Sequence, residues 1–118
     1  EKVLSTLSTC AAIVIPSVCM EMTSLILIEA LACGTPVIVS SINTFKEYII
    51  SMKTGLLFEQ DSADSLIQSV NTFSNLPQSL KAAMGNNCRS LYLESFTPDN
   101  TYNVLMDVYN RNIENIRP

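Results

Sequence analysis

Glu29 is the residue that most needs a chemical explanation. It is the one polar position in Leu25–Cys33, the run LILIEALAC. An ionised carboxylate among apolar neighbours is costly unless it is paired, neutralised or used. A second carboxylate, Glu21, lies eight residues earlier, and Thr23 and Ser24 fall between them where a helix would take its N-cap. A helix starting there has N–H groups without intrahelical acceptors and the positive end of its dipole. Two acids and two hydroxyls would then flank an anion-binding helix end. That combination suits a ligand carrying a phosphate and several hydroxyls. From the residues alone, Glu29 could equally cap a neighbouring loop or pair with a lysine, and a loop glutamate such as Glu21 is usually solvated.

Composition narrows the chemistry. The 118 residues contain no histidine, which removes His-activated nucleophiles and His-ligated metal sites within this sequence. Cysteines at 10, 19, 33 and 88 have neither zinc-type nor C-x-x-C spacing. They read as free thiols in a reducing compartment, with Cys19 and Cys33 as small apolar fillers. The net charge of −4 and scattered basic residues argue against nucleic-acid binding. No apolar run approaches the ~18 residues of a membrane span. With 47% apolar residues the chain is globular. It starts at Glu1 without a visible secretory signal, which we take as a segment of a longer protein.

Several elements must position Glu21 and Glu29. Glu1–Thr9 has the spacing of a helix end. Ala11–Ile15 is a short β-branched run ended by Pro16, expected as a strand buried on both faces. Leu25–Cys33, apolar nearly all round, is expected as a buried helix stopped by Gly34 in a left-handed C-cap. Val37–Val39 follows as a second buried strand, completing a parallel βαβ unit.

Phe45–Met52 reads as a short helix begun or capped near Glu47. Thr54-Gly55 is a turn into a third strand, Leu56–Phe58. Ser62–Ser74 is an amphipathic helix capped by Asp61/Ser62, with Leu66, Ile67, Val70 and Phe73 inward. A longer helix begins with Pro77 at its first position and carries Leu80, Met84, Leu91 and Leu93. It is weakened by Gly85 and Asn86-Asn87. Thr97-Pro98-Asp99 opens a last helix to Ile116, whose Tyr102, Leu105, Met106, Tyr109 and Ile113 read as core. The fold class is α/β, a parallel Rossmann-like sheet of three short strands with flanking helices and a helical C-terminus. Open parallel sheets that bind nucleotides usually carry more strands, so the sheet is expected to continue outside this chain.

The order of motifs resembles the donor-binding domain of retaining glycosyltransferases with two Rossmann-like domains, the GT-B fold, family 4 or group 1. The matching residues are Pro16-Ser17, Glu21, Glu29-Ala30, Gly34-Thr35-Pro36-Val37-Ile38 and Glu47. Thr54-Gly55-Leu56-Leu57-Phe58, Ala83-Met84-Gly85-Asn86-Asn87 and Phe96-Thr97 continue the match. The resemblance implies that residues 1–118 are part of a donor domain that binds a nucleotide-sugar and transfers a hexosyl group to an acceptor hydroxyl.

In that reading Glu29 holds the ribose hydroxyls and Glu21, at the catalytic position, faces the transferred sugar. The amides and hydroxyls of Thr23, Ser24, Leu25 and Ile26 meet the diphosphate, and Glu47 is a further donor-site candidate. The resemblance implies no metal and no cofactor. It also implies a carbohydrate or lipid-linked acceptor held by an N-terminal domain absent here, and a cytoplasmic location, peripheral to a membrane if the acceptor is lipid-linked.

The sequence departs from the family in places. Glu21-Met22-Thr23-Ser24-Leu25 lacks the glycines many relatives carry, Asn43 and Thr44 stand where relatives have a Gly-Gly pair, and no Arg/Lys pair matches the family's counter-charges. The segment alone is therefore expected to be inactive. The other reading is a non-catalytic α/β module that binds a nucleotide or a partner. Ser17, Gly34 and Gly55 are read simply as turn, helix stop and turn.

Overall fold

The computed structural model describes residues 2–19 and 24–116, with the side chains of the last helix described through Ile113. The elements run α1 (Lys2–Thr9), β1 (Ile13–Ile15), α2 (Leu25–Cys33), β2 (Val37–Ser40), α3 (Asn43–Tyr48), β3 (Gly55–Phe58), α4 (Ala63–Asn75), α5 (Gln78–Ser95) and α6 (Pro98–Ile116). The strands form one parallel sheet in the order β1-β2-β3. Val14 lies opposite Ile38, and Ile38 opposite Leu56. The fold is the expected Rossmann-like α/β arrangement. Consecutive parallel strands require a return crossing each time, so the N-termini of α2, α3 and α4 all come to the carboxyl edge of the sheet.

β2 is buried along its whole length, as its apolar run predicts. β1 is not. Val14 is 39% exposed, because β1 is an edge strand with β2 as its one described neighbour. α2 also departs from expectation. It buries Leu27, Ala30 and Leu31, while Leu25 is 75% exposed and Ile26, Ile28 and Glu29 are half-buried. The helix packs along one stripe against α1, α5 and the sheet, and its first turn stays open. Each fully buried leucine contributes about 1.5–3 kcal/mol, so two leucines fix α2 without enclosing its outer face.

The end of α2 is closed by backbone and side chains together. Gly34 is left-handed at φ 69°, and its N–H caps the Ala30 and Leu31 carbonyls. Thr35 Oγ1 donates to Leu7 O at 2.7 Å, and Arg89 Nη1 to Ala32 O at 2.6 Å, tying α1 and α5 to the turn. Gly85 does not break α5, which runs unbroken. A Cβ there would stand 2.5 Å from Gly34 O. The glycine lets two backbones approach, and Asn87 Nδ2 donates to Lys53 O at 2.9 Å.

Other boundaries move. α3 covers 43–48 rather than 45–52, because the Thr54 hydroxyl takes the Ile50 N–H at 3.0 Å and Met52 turns to φ 65°. Pro77 is the N-cap of α5 rather than its first helical residue. Ser62 caps α4 as expected, its hydroxyl accepting from Ser65 N at 3.2 Å. Of the predicted inner face of α4, Phe73 is buried and Leu66 half-buried, but Ile67 and Val70 are exposed. The stripe expected as core on α6 is exposed from Tyr102 to Ile113. That helix is held at its start, where Asn100 Nδ2 donates to Leu93 O and Glu94 O, and it stretches the molecule to 61 Å.

The cysteines also differ from one another. Cys10 and Cys19 are exposed, so Cys19 is not an apolar filler. Cys33 is half-buried with Sγ 3.8 Å from Leu4 O, and Cys88 is buried. The Cys88 thiol donates to Thr54 O at 2.9 Å, and burial pushes its pKa up to about 12. Since the thiolate is the nucleophile, maleimide at neutral pH should label Cys10 and Cys19 quickly and Cys88 only after denaturation. A raised thiol pKa also means that this group's contribution to stability is whole below the ordinary thiol range. It is lost as pH rises towards about 12.

Candidate functional site

The carboxyl edge of the sheet is where open α/β folds bind ligands, and α2 begins there. Ser24 occupies the N-cap position with extended backbone, φ −94° and ψ 107°, but its side chain makes no cap hydrogen bond. The expectation that its hydroxyl caps the helix is therefore corrected. The first intrahelical bond is Ile28 N to Ser24 O at 3.1 Å. The N–H groups of Leu25, Ile26 and Leu27 precede it and have no acceptor within the helix. Leu25 is exposed, so this end is open to a ligand.

Glu29 lies one turn further along the same helix. It is three and four residues beyond Ile26 and Leu25, which puts it on their stripe, ~6 Å along the axis from Leu25. Helical side chains lean toward the N-terminus, so the carboxylate leans toward the open amides. Among the described residues the Glu29 carboxylate has no hydrogen-bond or ion-pair partner. Loop capping and lysine pairing, the two alternatives left open by the sequence, are thus absent from the described contacts. A half-buried acceptor beside unpaired amide donors can bind a diol and an anion together.

Glu21 and Thr23 lie outside the described residues. Glu47 is exposed and is the fifth residue of the six-residue α3, so it neither begins nor caps that helix. Asn43 and Thr44, which stand where relatives have a Gly-Gly pair, form the first turn of α3. The structure therefore brings Ser24, Leu25, Ile26 and Glu29 together and leaves Glu47 on a separate short helix.

Sequence reasoning missed how the chain leaving β1 is held. Ser40, 1% exposed at the end of β2, donates through Oγ to Ser17 O at 2.5 Å. Gln60, just beyond β3, donates through Nε2 to Val18 O at 2.6 Å. One signal for Ser40 was present, a hydroxyl ending an otherwise apolar buried strand. Under this loop lies a cleft of about 170 Å³ lined by Pro16, Val18, Ser40, Phe58, Ser62 and Leu66. A larger cleft of about 510 Å³ lies at the opposite end of the sheet, beside Gly34 and Gly85. Its cations, Lys81 and Arg89, already donate to the Ser74 and Ala32 carbonyls. Among the described residues no group of three or more Cys, Asp or Glu side chains could hold a metal ion, and no helix is long and apolar enough to cross a membrane.

Comparison with known proteins agrees with the fold. A search of curated proteins returns no match. Among solved structures, sucrose-phosphate synthase from Thermosynechococcus elongatus is similar with a TM-score of 0.81 and 28% identity, over 92% of this chain and 27% of that one. A glycosyltransferase from Rickettsia africae ESF-5 shares the fold, with a TM-score of 0.79 and 24% identity, over 88% of this chain and 28% of that one. The chain thus spans little more than a quarter of the length of either. The family described as glycosyl transferases group 1 matches residues 1–91, more than half of the sequence. This chain belongs to that family, the group 1 glycosyl transferases.

Proposed function

We propose that residues 1–118 are the later part of a Rossmann-like donor-binding domain. The whole enzyme would transfer a hexosyl group from a nucleotide-sugar to an acceptor hydroxyl with retention. The observation that carries this reading is the pairing of uncapped α2 amides with an unpartnered Glu29 one turn away. Ribose offers two adjacent O–H donors, and a carboxylate accepts both in a bidentate, charge-assisted bond. The diphosphate would lie on the amides of Leu25 and Ile26, where the helix dipole favours negative charge. Neither contact needs a metal. Glu21 keeps its proposed place at the transferred sugar on the strength of its spacing from Glu29.

Chemistry on the sugar needs charge to offset the leaving diphosphate. This sequence has no basic pair at the matching positions, so the chain alone is proposed to bind donor without turning it over. The acceptor site, carbohydrate or lipid-linked, would belong to another domain, and the setting would be the cytoplasm or a membrane surface facing it. Calorimetric titration of UDP, GDP and ADP into the folded chain tests the reading. Binding of one nucleotide supports it and identifies the base. Binding of none, by this chain and by the longest form of the protein that contains it, overturns it.

A further inference from the structure

The connection from β1 to α2 runs through residues 16–24, nine residues where such connections usually take two to six. Its described part does not run directly to α2. Ser17 O is held by Ser40 at the end of β2, and Val18 O by Gln60 beyond β3. With the strands in the order β1-β2-β3, the chain leaving β1 crosses the carboxyl edge of the sheet toward β3 as far as Val18. Two donors from two different strand ends thus converge on consecutive carbonyls. Ser41 N donates to Phe58 O at 2.8 Å and ties those two strand ends to each other.

The cost of this arrangement argues that it has a use. A hydroxyl buried at 1% exposure in a fully buried strand is unfavourable unless bonded, and the described bond of Ser40 Oγ goes to a loop rather than to the sheet. The latch roofs the cleft at the ends of β2 and β3, which Val18, Ser40, Phe58 and Leu66 line. We propose that Ser40 and Gln60 are positioning residues for the nucleotide site. They pin the Ser17–Val18 backbone across the sheet edge, so that a nucleoside diphosphate can enter only against the N-terminus of α2. This inference rests on the donor-site reading above.

The test uses UDP, GDP and ADP as probes on the wild-type chain and on Ser40→Ala, Ser40→Thr and Gln60→Glu. The last keeps the shape of the side chain, removes its donor and adds a negative charge at an exposed position, so the fold should survive. The uncharged nucleosides titrated beside the diphosphates take that charge's repulsion out of the comparison. Each loss removes one neutral hydrogen bond, so the binding nucleotide should weaken about threefold to tenfold in Ser40→Ala and Gln60→Glu. The amides of Val18 and Cys19 should exchange hydrogen faster, the Gln60→Glu melting midpoint should stay in place, and Ser40→Thr should restore affinity. If Ser40→Ala melts out, Gln60→Glu alone decides. Wild-type binding with equal affinity in Gln60→Glu overturns the latch and leaves the donor site standing. No nucleotide binding by the wild type removes the donor reading, and the latch with it.

Discussion

Replacing Gly55 with alanine is expected to remove roughly a fifth to three-fifths of the stability of this domain. Gly55 opens β3 directly opposite Val37, and a Cβ there would stand 2.1 Å from Val37 O and 2.8 Å from Val37 Cγ2. The first of these is backbone in the central strand, and Val37 is wholly buried, so neither atom can swing aside. Relief requires β2 and β3 to part, yet Gly55 is also tied from its other side by Met52 N donating to its carbonyl at 2.8 Å. Overpacking costs typically 1–3 kcal/mol, and a backbone clash belongs at or beyond the top of that range. Against a usual total of about 5–15 kcal/mol, a loss of about 3 kcal/mol should shift the urea midpoint clearly downward. Gly85→Ala should cost less, since its 2.5 Å approach to Gly34 O joins two helices that can slide, and alanine returns up to ~1 kcal/mol of helix propensity. A Gly55→Ala midpoint equal to that of wild type would show that β2 and β3 separate more easily than their register suggests.

Gly55 also shows where sequence reading stops. Thr54-Gly55 read as a turn and the strand from Leu56–Phe58, but the turn ends at Thr54 and Gly55 is already the first residue of β3. That the glycine is demanded by the neighbouring strand depends on register, which no local pattern carries. The elements with strong local signals came through intact. Leu25–Cys33 has the expected bounds and its left-handed Gly34, and Ser62 caps α4 as read. What failed was burial. Periodicity reports which residues share a stripe, not whether anything lies against it, so Tyr102–Ile113 read as core although α6 touches its neighbours only at its start. The same limit applies to Val14 on the edge strand and to Ile67 and Val70 on α4. Apolar residues on an exposed face are common enough that pattern alone cannot separate them from core.

The site was legible to a different degree at each residue. Glu29 was marked by being the one acid in an apolar run, and the structure places it on the stripe of the open helix start. Glu47 was marked only by its place in a resemblance, and it lies exposed near the end of α3. Ser40 and Gln60 were not marked as functional at all. Their roles come from hydrogen bonds spanning 23 and 42 residues, and only the folded sheet brings such distant positions together.

Glu29→Gln should abolish discrimination between ribo- and 2′-deoxyribonucleotides while leaving the fold intact. Without a described partner, the carboxylate holds nothing in place, so the melting midpoint should change little. Its effect on the ligand has two opposing parts. A charge-assisted hydrogen bond contributes about 1.5–3 kcal/mol, which is roughly tenfold to a hundredfold in affinity. The same negative charge stands about one helical turn from the proposed diphosphate position and repels it, so a single titration of the variant understates the contact. A thermodynamic cycle separates the two. The repulsion is the same for a nucleoside diphosphate and its 2′-deoxy form, so it cancels when their affinities are compared. In the wild type the loss of the 2′-hydroxyl should weaken binding by about tenfold or more, and in Glu29→Gln by about twofold or less, because a neutral amide makes the weaker bond. If both proteins show the same ratio, Glu29 does not hold ribose. The uncapped amides of α2 would then be the only element of the described site still assigned to the donor. If only the wild type discriminates, the carboxylate that first stood out in an apolar run is the group that reads the sugar of the nucleotide.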